Sequence, residues 1–177
     1  MAAAVEKLRL ILYPDPRLKQ RAQPVTEFNE ELAAVIERMI AVMRAEKGVG
    51  LAAPQVGLLW RLFVCQPGED APPQAFINPT LNLGEREDVR EEGCLSIPDV
   101  TVNIRRSTTC EISAFDARGR PLRLSGEGLL ARIWQHETDH LDGRLITDRM
   151  TEAERIKNRR LLKQLEQDYQ KRKGRRG

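Results

Sequence analysis

The sequence predicts one globular domain that mixes helices with short strands, and three patterns indicate it. Apolar residues recur at helical spacing in the first third of the chain and again in the last third. Between about residues 59 and 124 the pattern changes to short segments that alternate apolar and polar residues, as half-buried strands do. A length of 177 residues is enough for a single domain with its own core.

The first helix is predicted over about residues 29–46. Asn29 is a suitable N-cap residue, and the glycine-rich segment 48–50 ends the helix. Its apolar positions repeat every three or four residues: Leu32, Val35, Ile36, Met39, Val42 and Met43.

Two strands are predicted from alternation, and a turn follows the second. The apolar residues of these strands are Val100, Val102 and Ile104 in the first, and Cys110, Ile112 and Ala114 in the second. The segment 116–119 reads Asp-Ala-Arg-Gly, which is typical of a turn. We therefore expect a hairpin that joins the second strand to residues 121–124.

Two further helices are predicted near the C-terminus. One covers residues 128–141, with Ser125 as its candidate cap. The other runs from about residue 151 to 173, and its apolar positions are Ile156, Leu161, Leu162, Leu165 and Tyr169. Residues 171–177 are expected to be unstructured.

Composition excludes some classes of protein. No apolar run approaches the roughly 18 residues that span a bilayer, so we expect no membrane contact. The first residues lack the pattern of a secretory signal. Three cysteines at irregular spacing do not form a disulfide framework, and Cys65 and Cys110 resemble buried strand residues. These observations favour a reducing compartment, the cytoplasm.

The strongest chemical signal is an H-E-x-x-H motif, His136-Glu137-Thr138-Asp139-His140. On a helix, residues four apart lie on one face, so both imidazoles can bind one metal ion with the glutamate beside them as acid or base. The alternative is a pair of core histidines with satisfied hydrogen bonds. The chain has only two histidines, and both are in this motif, which favours the metal.

A catalytic zinc-type site usually has three protein ligands. Gly143 fits the extended metzincin pattern, but Ile146 stands where that pattern needs a third histidine. The third ligand must therefore be Cys, Asp or Glu. Cys94, in the segment Glu92-Gly93-Cys94-Leu95-Ser96, is the best candidate, because a thiolate with two imidazoles suits Zn²⁺ or Fe²⁺. A buried inert thiol is the alternative.

Three islands together resemble the peptide deformylase family. They read G-V-G-L-A-A-P-Q over residues 48–55, E-G-C-L-S over 92–96 and Q-H-E-T-D-H over 135–140. The resemblance implies an α+β fold, with small antiparallel or mixed sheets wrapped around a central metal-binding helix and with N-terminal and C-terminal helices. It implies catalysis in residues 1–150, with 151–177 as a basic helix and tail of the same domain.

The resemblance also implies the activity and its residues. The enzyme would remove the N-formyl group from formyl-methionine of nascent polypeptides, with one metal on Cys94, His136 and His140, Fe²⁺ in many members and Zn²⁺ as the alternative. Glu137 would be the general base, and Gln55 with the Leu95 N–H would stabilise the oxyanion. The peptide would bind at Val49, Gly50, Glu92, Gly93, Leu129 and Ile133. No nucleotide cofactor is implied. Arg106 is expected either to pair with Asp139 or to be solvated.

Charge suggests one further partner. Residues 151–177 hold ten Lys/Arg and four Asp/Glu, about +6, whereas the whole chain carries +3. This helix is therefore a candidate contact for ribosomal RNA, and a solvated helix is the alternative. Two rival functions also remain at this stage: a metalloprotease for internal peptide bonds, and an inactive ribosome-associated binding module.

Overall fold

The computed structural model describes residues 5–174 and confirms the α+β fold. Three α-helices lie within that range: α1 (Glu30–Ala45), α2 (Gly128–Leu141) and α3 (Glu152–Gly174). The strands are β1 (Gly50–Ala52), β2 (Leu62–Cys65), β3 (Gln74–Leu83), β4 (Glu87–Cys94), β5 (Ile97–Ser107), β6 (Thr109–Phe115) and β7 (Pro121–Glu127). No described helix is long and apolar enough to cross a membrane.

The strands form two antiparallel sheets with α2 between them. The larger sheet has the order β1-β2-β3-β6-β7, and β4 pairs with β5 in the smaller one. Helix α2 packs on β1, β2, β6 and β7 of the larger sheet and on β5 of the smaller sheet. The predicted central helix is therefore confirmed, and any side chain on α2 can meet residues from both sheets.

Helix α1 forms as predicted. The Asn29 side chain accepts a hydrogen bond from the Leu32 N–H at 3.0 Å, which satisfies one of the free donors of the first turn. All six predicted apolar positions are buried, and they pack with Leu51, Leu62, Val64 and Ile77 of the larger sheet.

The predicted strands are confirmed as well. Val100, Val102 and Ile104 are buried in β5, and Cys110, Ile112 and Ala114 are buried in β6. The hairpin joins β6 to β7 at the expected turn. The Asp116 carboxylate accepts the backbone N–H groups of Arg118 and Arg120 there, at 2.8 and 2.9 Å.

The cap predicted for α2 was wrong. Ser125 lies within β7, paired with Glu111, and Glu127 is the residue that precedes the helix. The chain turns from strand to helix at Gly128, whose φ of 56° is the left-handed conformation that glycine adopts without strain. The Glu127 side chain forms no capping hydrogen bond within the described residues.

Helix α3 differs from prediction at its end and on its surface. It continues to Gly174, so residues 171–173 are helical, whereas Arg175 and Arg176 lie outside the described residues. Ile156 and Leu161 are exposed; Leu162 and Leu165 pack against the smaller sheet's core. The apolar face of α3 is interrupted because this helix also contacts the smaller sheet through polar side chains. Asn158 donates to the Thr101 carbonyl, and Glu154 accepts the Asn103 N–H at 2.7 Å.

Candidate metal centre and active-site cleft

The structure brings together the three side chains predicted to bind a metal. The His140 Nε2 atom lies 3.3 Å from Cys94 Sγ and 3.2 Å from His136 Nε2. All three ligand atoms lie within 4.8 Å of one another, and within residues 5–174 this is the one Cys/His/Asp/Glu group that could hold a metal ion. Two nitrogens at tetrahedral positions about 2.0–2.1 Å from a metal stand about 3.3 Å apart, so the observed spacing fits a tetrahedral ion.

Two elements position these ligands. His136 and His140 lie one turn apart on α2, on the face that meets both sheets. Cys94 is the last residue of β4, where a two-residue turn of Leu95 and Ser96 leads into β5. The hairpin therefore presents the thiol at its tip, and packing against α2 places it beside the imidazoles.

A buried carboxylate orients one of the ligands. Glu92 Oε2 accepts a hydrogen bond from His136 Nδ1 at 3.0 Å, which leaves Nε2 to face Cys94 and His140. Such partners fix the tautomer and ring orientation of metal-binding histidines. From the sequence, Glu92 was expected only among the residues that bind the peptide, so this role of its side chain was missed.

Arginines neutralise Glu92 in turn. Arg106 binds the Glu92 carboxylate with two nitrogens, at 2.6 and 2.9 Å, and Arg132 binds it at 2.5 Å. Arg106 also contacts Asp139 at 2.9 Å, which is the first of its two expected alternatives, and Arg149 pairs with the same aspartate. A continuous network of charged hydrogen bonds thus runs from the residues before α3 to the ligand His136.

The electrostatics of the site favour positive charge between the ligands. Burial alone would lower the pKa of His136, but its hydrogen bonds to Cys94 and Glu92 raise it to about 10. Burial lowers the pKa of His140 well below its usual value, so that ring is neutral. The groups that attract a proton to His136 attract a metal cation for the same reason.

Glu137 lies beside the candidate ligands and forms no salt bridge within residues 5–174. It is buried, its Oε2 atom has no hydrogen-bond partner, and burial raises its pKa to about 7. Its carboxylate packs against the backbone of β1. A Cβ atom added at Gly50 would lie 2.3 Å from Glu137 Oε1, so glycine is what allows this approach. An unpartnered carboxyl near neutral pKa is suited to proton transfer.

Gln55 is fixed on the opposite side of the thiol. Its Oε1 atom accepts the Ala52 N–H at 2.8 Å, while Nε2 points to Cys94 Sγ at 3.6 Å and to Ser96 Oγ at 3.2 Å. Leu95 follows Cys94 directly, so its backbone N–H belongs to the same corner. These two groups could donate to an oxygen atom held near the ligands.

These residues line one open cleft of about 570 Å³. Every predicted site residue except His140, which is buried beneath it, lines this cleft. Val49 and Leu129 expose 43% and 52% of their surface at its mouth, and Ile133 forms part of its floor. An apolar side chain that entered the cleft would cover these residues.

The sequence gives little indication of the hydrogen-bond network around Glu92. Its members lie 14 and 40 positions from Glu92, at Arg106 and Arg132, and no periodic pattern links them. The one available signal was an arginine inside the apolar face of α2, since a buried Arg132 requires an anionic partner.

Comparison with known proteins gives a consistent result. The family profile described as polypeptide deformylase matches residues 7–156. A curated peptide deformylase of Thermotoga maritima is 46% identical over 155 residues, covering 87% of this chain and 93% of the relative. One from Acidothermus cellulolyticus is 40% identical, covering 92% of this chain and 88% of the relative.

Solved structures agree with these relatives. A peptide deformylase of Legionella pneumophila superposes with a TM-score of 0.84 at 37% identity, covering 90% of this chain and 95% of the other. Peptide deformylase 1B of Arabidopsis thaliana, solved with an inhibitor, gives 0.88 at 35% identity and covers 94% of each chain.

Proposed function

This chain belongs to the polypeptide deformylase family and is a metallo-hydrolase that removes the N-formyl group from formyl-methionine of nascent polypeptides; we propose that Cys94, His136 and His140 hold its metal ion. The observation that carries this assignment is that His140 Nε2 lies 3.3 Å from Cys94 Sγ and 3.2 Å from His136 Nε2, with the ligand atoms of all three residues within 4.8 Å of one another. Family membership sets aside both rival functions, the internal protease and the inactive binding module.

A divalent metal at this triangle supplies Lewis acidity and a water of lowered pKa, so that a nucleophile is available near neutral pH. The protein groups do the remaining work. Glu137 accepts the proton that the attacking water loses, because its carboxyl is buried, unpartnered and adjacent to the ligands. It then delivers this proton to the amine nitrogen as the bond to the formyl carbon breaks. The products are formate and a free N-terminus.

Gln55 and Leu95 stabilise the oxyanion. Attack on the formyl carbonyl places negative charge on its oxygen. The Gln55 Nε2 group, aimed at Cys94 and Ser96, and the Leu95 N–H can both donate to that oxygen. Each such donor contributes about 2.7–4 kcal/mol to transition-state stabilisation. The carboxamide is held by Ala52, so it needs no reorientation during the reaction.

The nascent chain binds as an added strand. β1 is the edge of the larger sheet, and β4 belongs to a two-stranded sheet with free edges. Extended peptides pair with such edges through main-chain hydrogen bonds. The chain would lie between residues 49–50 and residues 92–93. Its methionine side chain would then pack on Val49, Leu129 and Ile133.

We propose Fe²⁺ as the native metal and Zn²⁺ as its substitute in some preparations, because a thiolate with two imidazoles suits both ions. A thiolate beside Fe²⁺ is open to oxidation. Iron-loaded protein should therefore lose activity in air, whereas zinc-loaded protein should not. Equal stability of both forms in air would contradict this expected oxygen sensitivity of the iron form.

Formate release from a formyl-Met peptide, by protein loaded anaerobically with Fe²⁺, tests the function and the ligand set together. Cys94→Ala should lose most bound metal and most turnover. Cys110→Ala is the matched control, since that thiol is buried, contacts the Ala131 carbonyl at 3.8 Å and lies outside the cleft. Full metal occupancy in the Cys94 variant would contradict the assignment.

The outer face of α3 is the proposed contact with ribosomal RNA. Arg159, Arg160 and Lys163 are exposed on it, opposite the buried Asn158. Basic side chains bind phosphates without sequence preference, and such binding weakens steeply with salt. Changing these three residues to glutamate should abolish ribosome co-sedimentation at low salt. If the variant still co-sediments like the unaltered protein, this face is not the anchor.

The formylated nascent chain, as substrate, also supports a cytoplasmic location. Nascent chains emerge where ribosomes translate, and the three cysteines, Cys65, Cys94 and Cys110, are all free thiols. A reducing compartment keeps the Cys94 thiolate available as a ligand. Fractionation of cells followed by immunodetection tests this placement.

A further inference from the structure

A second groove lies outside the active-site cleft. It has a volume of about 810 Å³ and is formed by residues 7–12, the turn around Gly57, and the end of α3. Its walls come from both ends of the chain, and none of its residues belongs to the metal centre. A groove of this size can hold a small organic ligand, since such sites typically measure about 300–1,000 Å³.

The groove is strongly basic. Its lining includes five cationic side chains and a single carboxylate: Lys7, Arg9, Arg17, Arg172, Lys173 and Asp15. Asp15 is already occupied, because it binds Arg17 through two hydrogen bonds of 3.0 and 2.7 Å. The other four cations form no salt bridge within residues 5–174. Four uncompensated positive charges therefore surround the groove.

The floor of this groove is apolar, in contrast to its basic rim. Val56 is buried, and Leu8, Leu10 and Leu58 are partly buried against the core. The half-buried Tyr169 of α3 adds an aromatic ring to the lining. An apolar floor under a cationic rim matches a ligand that has a flat or apolar part and several negative charges.

We propose that this groove binds a nucleoside triphosphate. Such a ligand carries about four negative charges near neutral pH, as many as the uncompensated cations. Its phosphates lie against Lys7, Arg9 and Arg172, and its base packs on the apolar floor and Tyr169. The ligand is not a reactant in deformylation, so this site is independent of the hydrolytic mechanism.

Backbone contacts connect the groove to the active site. The Ile11 N–H donates to the Gln55 carbonyl at 2.8 Å, and the Tyr13 N–H donates to the Ser96 carbonyl at the same distance. Residues 7–12 therefore lie directly behind the turn that carries the oxyanion donor Gln55. Binding in the groove orders this segment, and exchange of the Ile11 and Tyr13 amide protons should slow when ligand is present.

The test is titration calorimetry of the metal-loaded full chain with ATP, with adenosine and inorganic tripolyphosphate as partial ligands. ATP should bind at least about tenfold more tightly than either part, because each part uses only half of the groove. The variant Lys7→Glu/Arg9→Glu/Arg172→Glu should weaken ATP binding by about tenfold or more. The matched control is Arg159→Glu/Arg160→Glu/Lys163→Glu, with the same charge change on the outer face of α3.

Both variants should release formate at the unaltered rate, which shows that they fold and retain metal. The double variant Lys7→Glu/Arg9→Glu replaces the triple one if the triple fails this check. Several outcomes overturn the proposal: no binding of ATP at millimolar concentration, equal weakening in the groove variant and its control, or tripolyphosphate binding as tightly as ATP. A short oligoribonucleotide that binds the groove more tightly than ATP would also overturn it.

Discussion

At the scale of single residues, the candidate site depends on one buried carboxylate, that of Glu92. Glu92 is buried among Arg106, Arg132 and His136, so its charge is fully satisfied without water. Hydrogen bonds to His136 and Arg106 hold its pKa at about 2 against the opposing effect of burial. It therefore stays ionised at any working pH and fixes the ligand imidazole with Nε2 facing the thiol.

Glu92→Gln tests this positioning role. The amide keeps the volume but loses the charge, so His136 is held less firmly and metal affinity should fall by about 10–100-fold. The free energy of unfolding should also fall, by about 1–3 kcal/mol, because Arg106 and Arg132 lose a partner. Metal affinity is measured by competition with a chelator, and unfolding by urea titration.

Glu91→Gln is the matched control for that change. Glu91 also lines the cleft, but its carboxylate is exposed and bonds only to the Thr101 hydroxyl at 3.0 Å. Metal affinity should be unchanged in this variant. If Glu92→Gln lowers stability and leaves metal affinity intact, the carboxylate is structural and does not position the ligand.

Glu137→Gln separates the general base from the ligands. The substituted amide fits the same buried space but cannot accept the proton of the attacking water. Turnover should fall by about 10²–10⁴-fold while the metal content stays at that of the unaltered protein. Steady-state formate release and elemental analysis give the two quantities. Near-normal turnover in a folded, metal-loaded variant would show that another group takes the proton.

At the scale of elements, the cleft is set by how closely β1 and β4 approach α2. Two glycines on its two walls differ in the space around them. A Cβ at Gly50 would collide with the Glu137 carboxylate, whereas one at Gly93 would meet only the Val100 carbonyl, at 3.8 Å. Neither has the positive φ that would strain an alanine. Alanine substitutions at Gly50 and Gly93 therefore distinguish crowding of the Glu137 carboxylate from crowding of the peptide.

Gly50→Ala should therefore lower kcat, because its methyl group displaces the Glu137 side chain from β1. Gly93→Ala should leave kcat nearly unchanged, because its methyl group meets only the Val100 carbonyl, and should raise KM, because Gly93 is among the residues proposed to bind the peptide. Steady-state kinetics on a formyl-Met tripeptide measure both constants. Equal effects of the two variants on kcat would show that Glu137 does not depend on the backbone of β1.

The elements themselves were largely predictable, and the reasons are local. The apolar spacing of α1 and the alternation in β5 and β6 report burial directly, and the structure confirms both. The H-E-x-x-H spacing predicted two imidazoles on one face of α2, and the structure places them there. The N-cap of α2 was wrongly predicted because Ser125 pairs with Glu111 in the larger sheet. That partner lies 14 positions away in the chain, so the local sequence does not reveal the pairing.

Longer-range features could not be derived from spacing. The Glu92 network and the basic groove both join residues from distant parts of the chain, and only folding brings these together. Exposure of Ile156 was missed for a related reason. Helix α3 is held by polar contacts of Glu154 and Asn158 as much as by leucines, so its apolar positions do not report its buried face.

At the scale of the whole molecule, the question is whether residues 151–177 belong to the catalytic domain. Leu162 and Leu165 of α3 pack against the core formed by β5 and its neighbours. Glu166 accepts a hydrogen bond from the Tyr13 hydroxyl, which joins the C-terminal helix to the N-terminal segment. The Arg149–Asp139 pair lies directly before the helix and connects to the metal-binding helix. On the basis of these contacts, we propose that α3 is an integral layer of the domain.

The full chain should therefore unfold in one cooperative transition, and truncation after Met150 should lower the free energy of unfolding. The loss is about 2–5 kcal/mol, from two uncovered leucines and the hydrogen bonds of Asn158 and Glu154. Urea unfolding followed by circular dichroism and by tryptophan fluorescence measures it. The charge variant Arg159→Glu/Arg160→Glu/Lys163→Glu is the control, and its stability should stay within about 0.5 kcal/mol. Two separate transitions, or a truncated protein as stable as the full chain, would make α3 an appendage whose only role is docking.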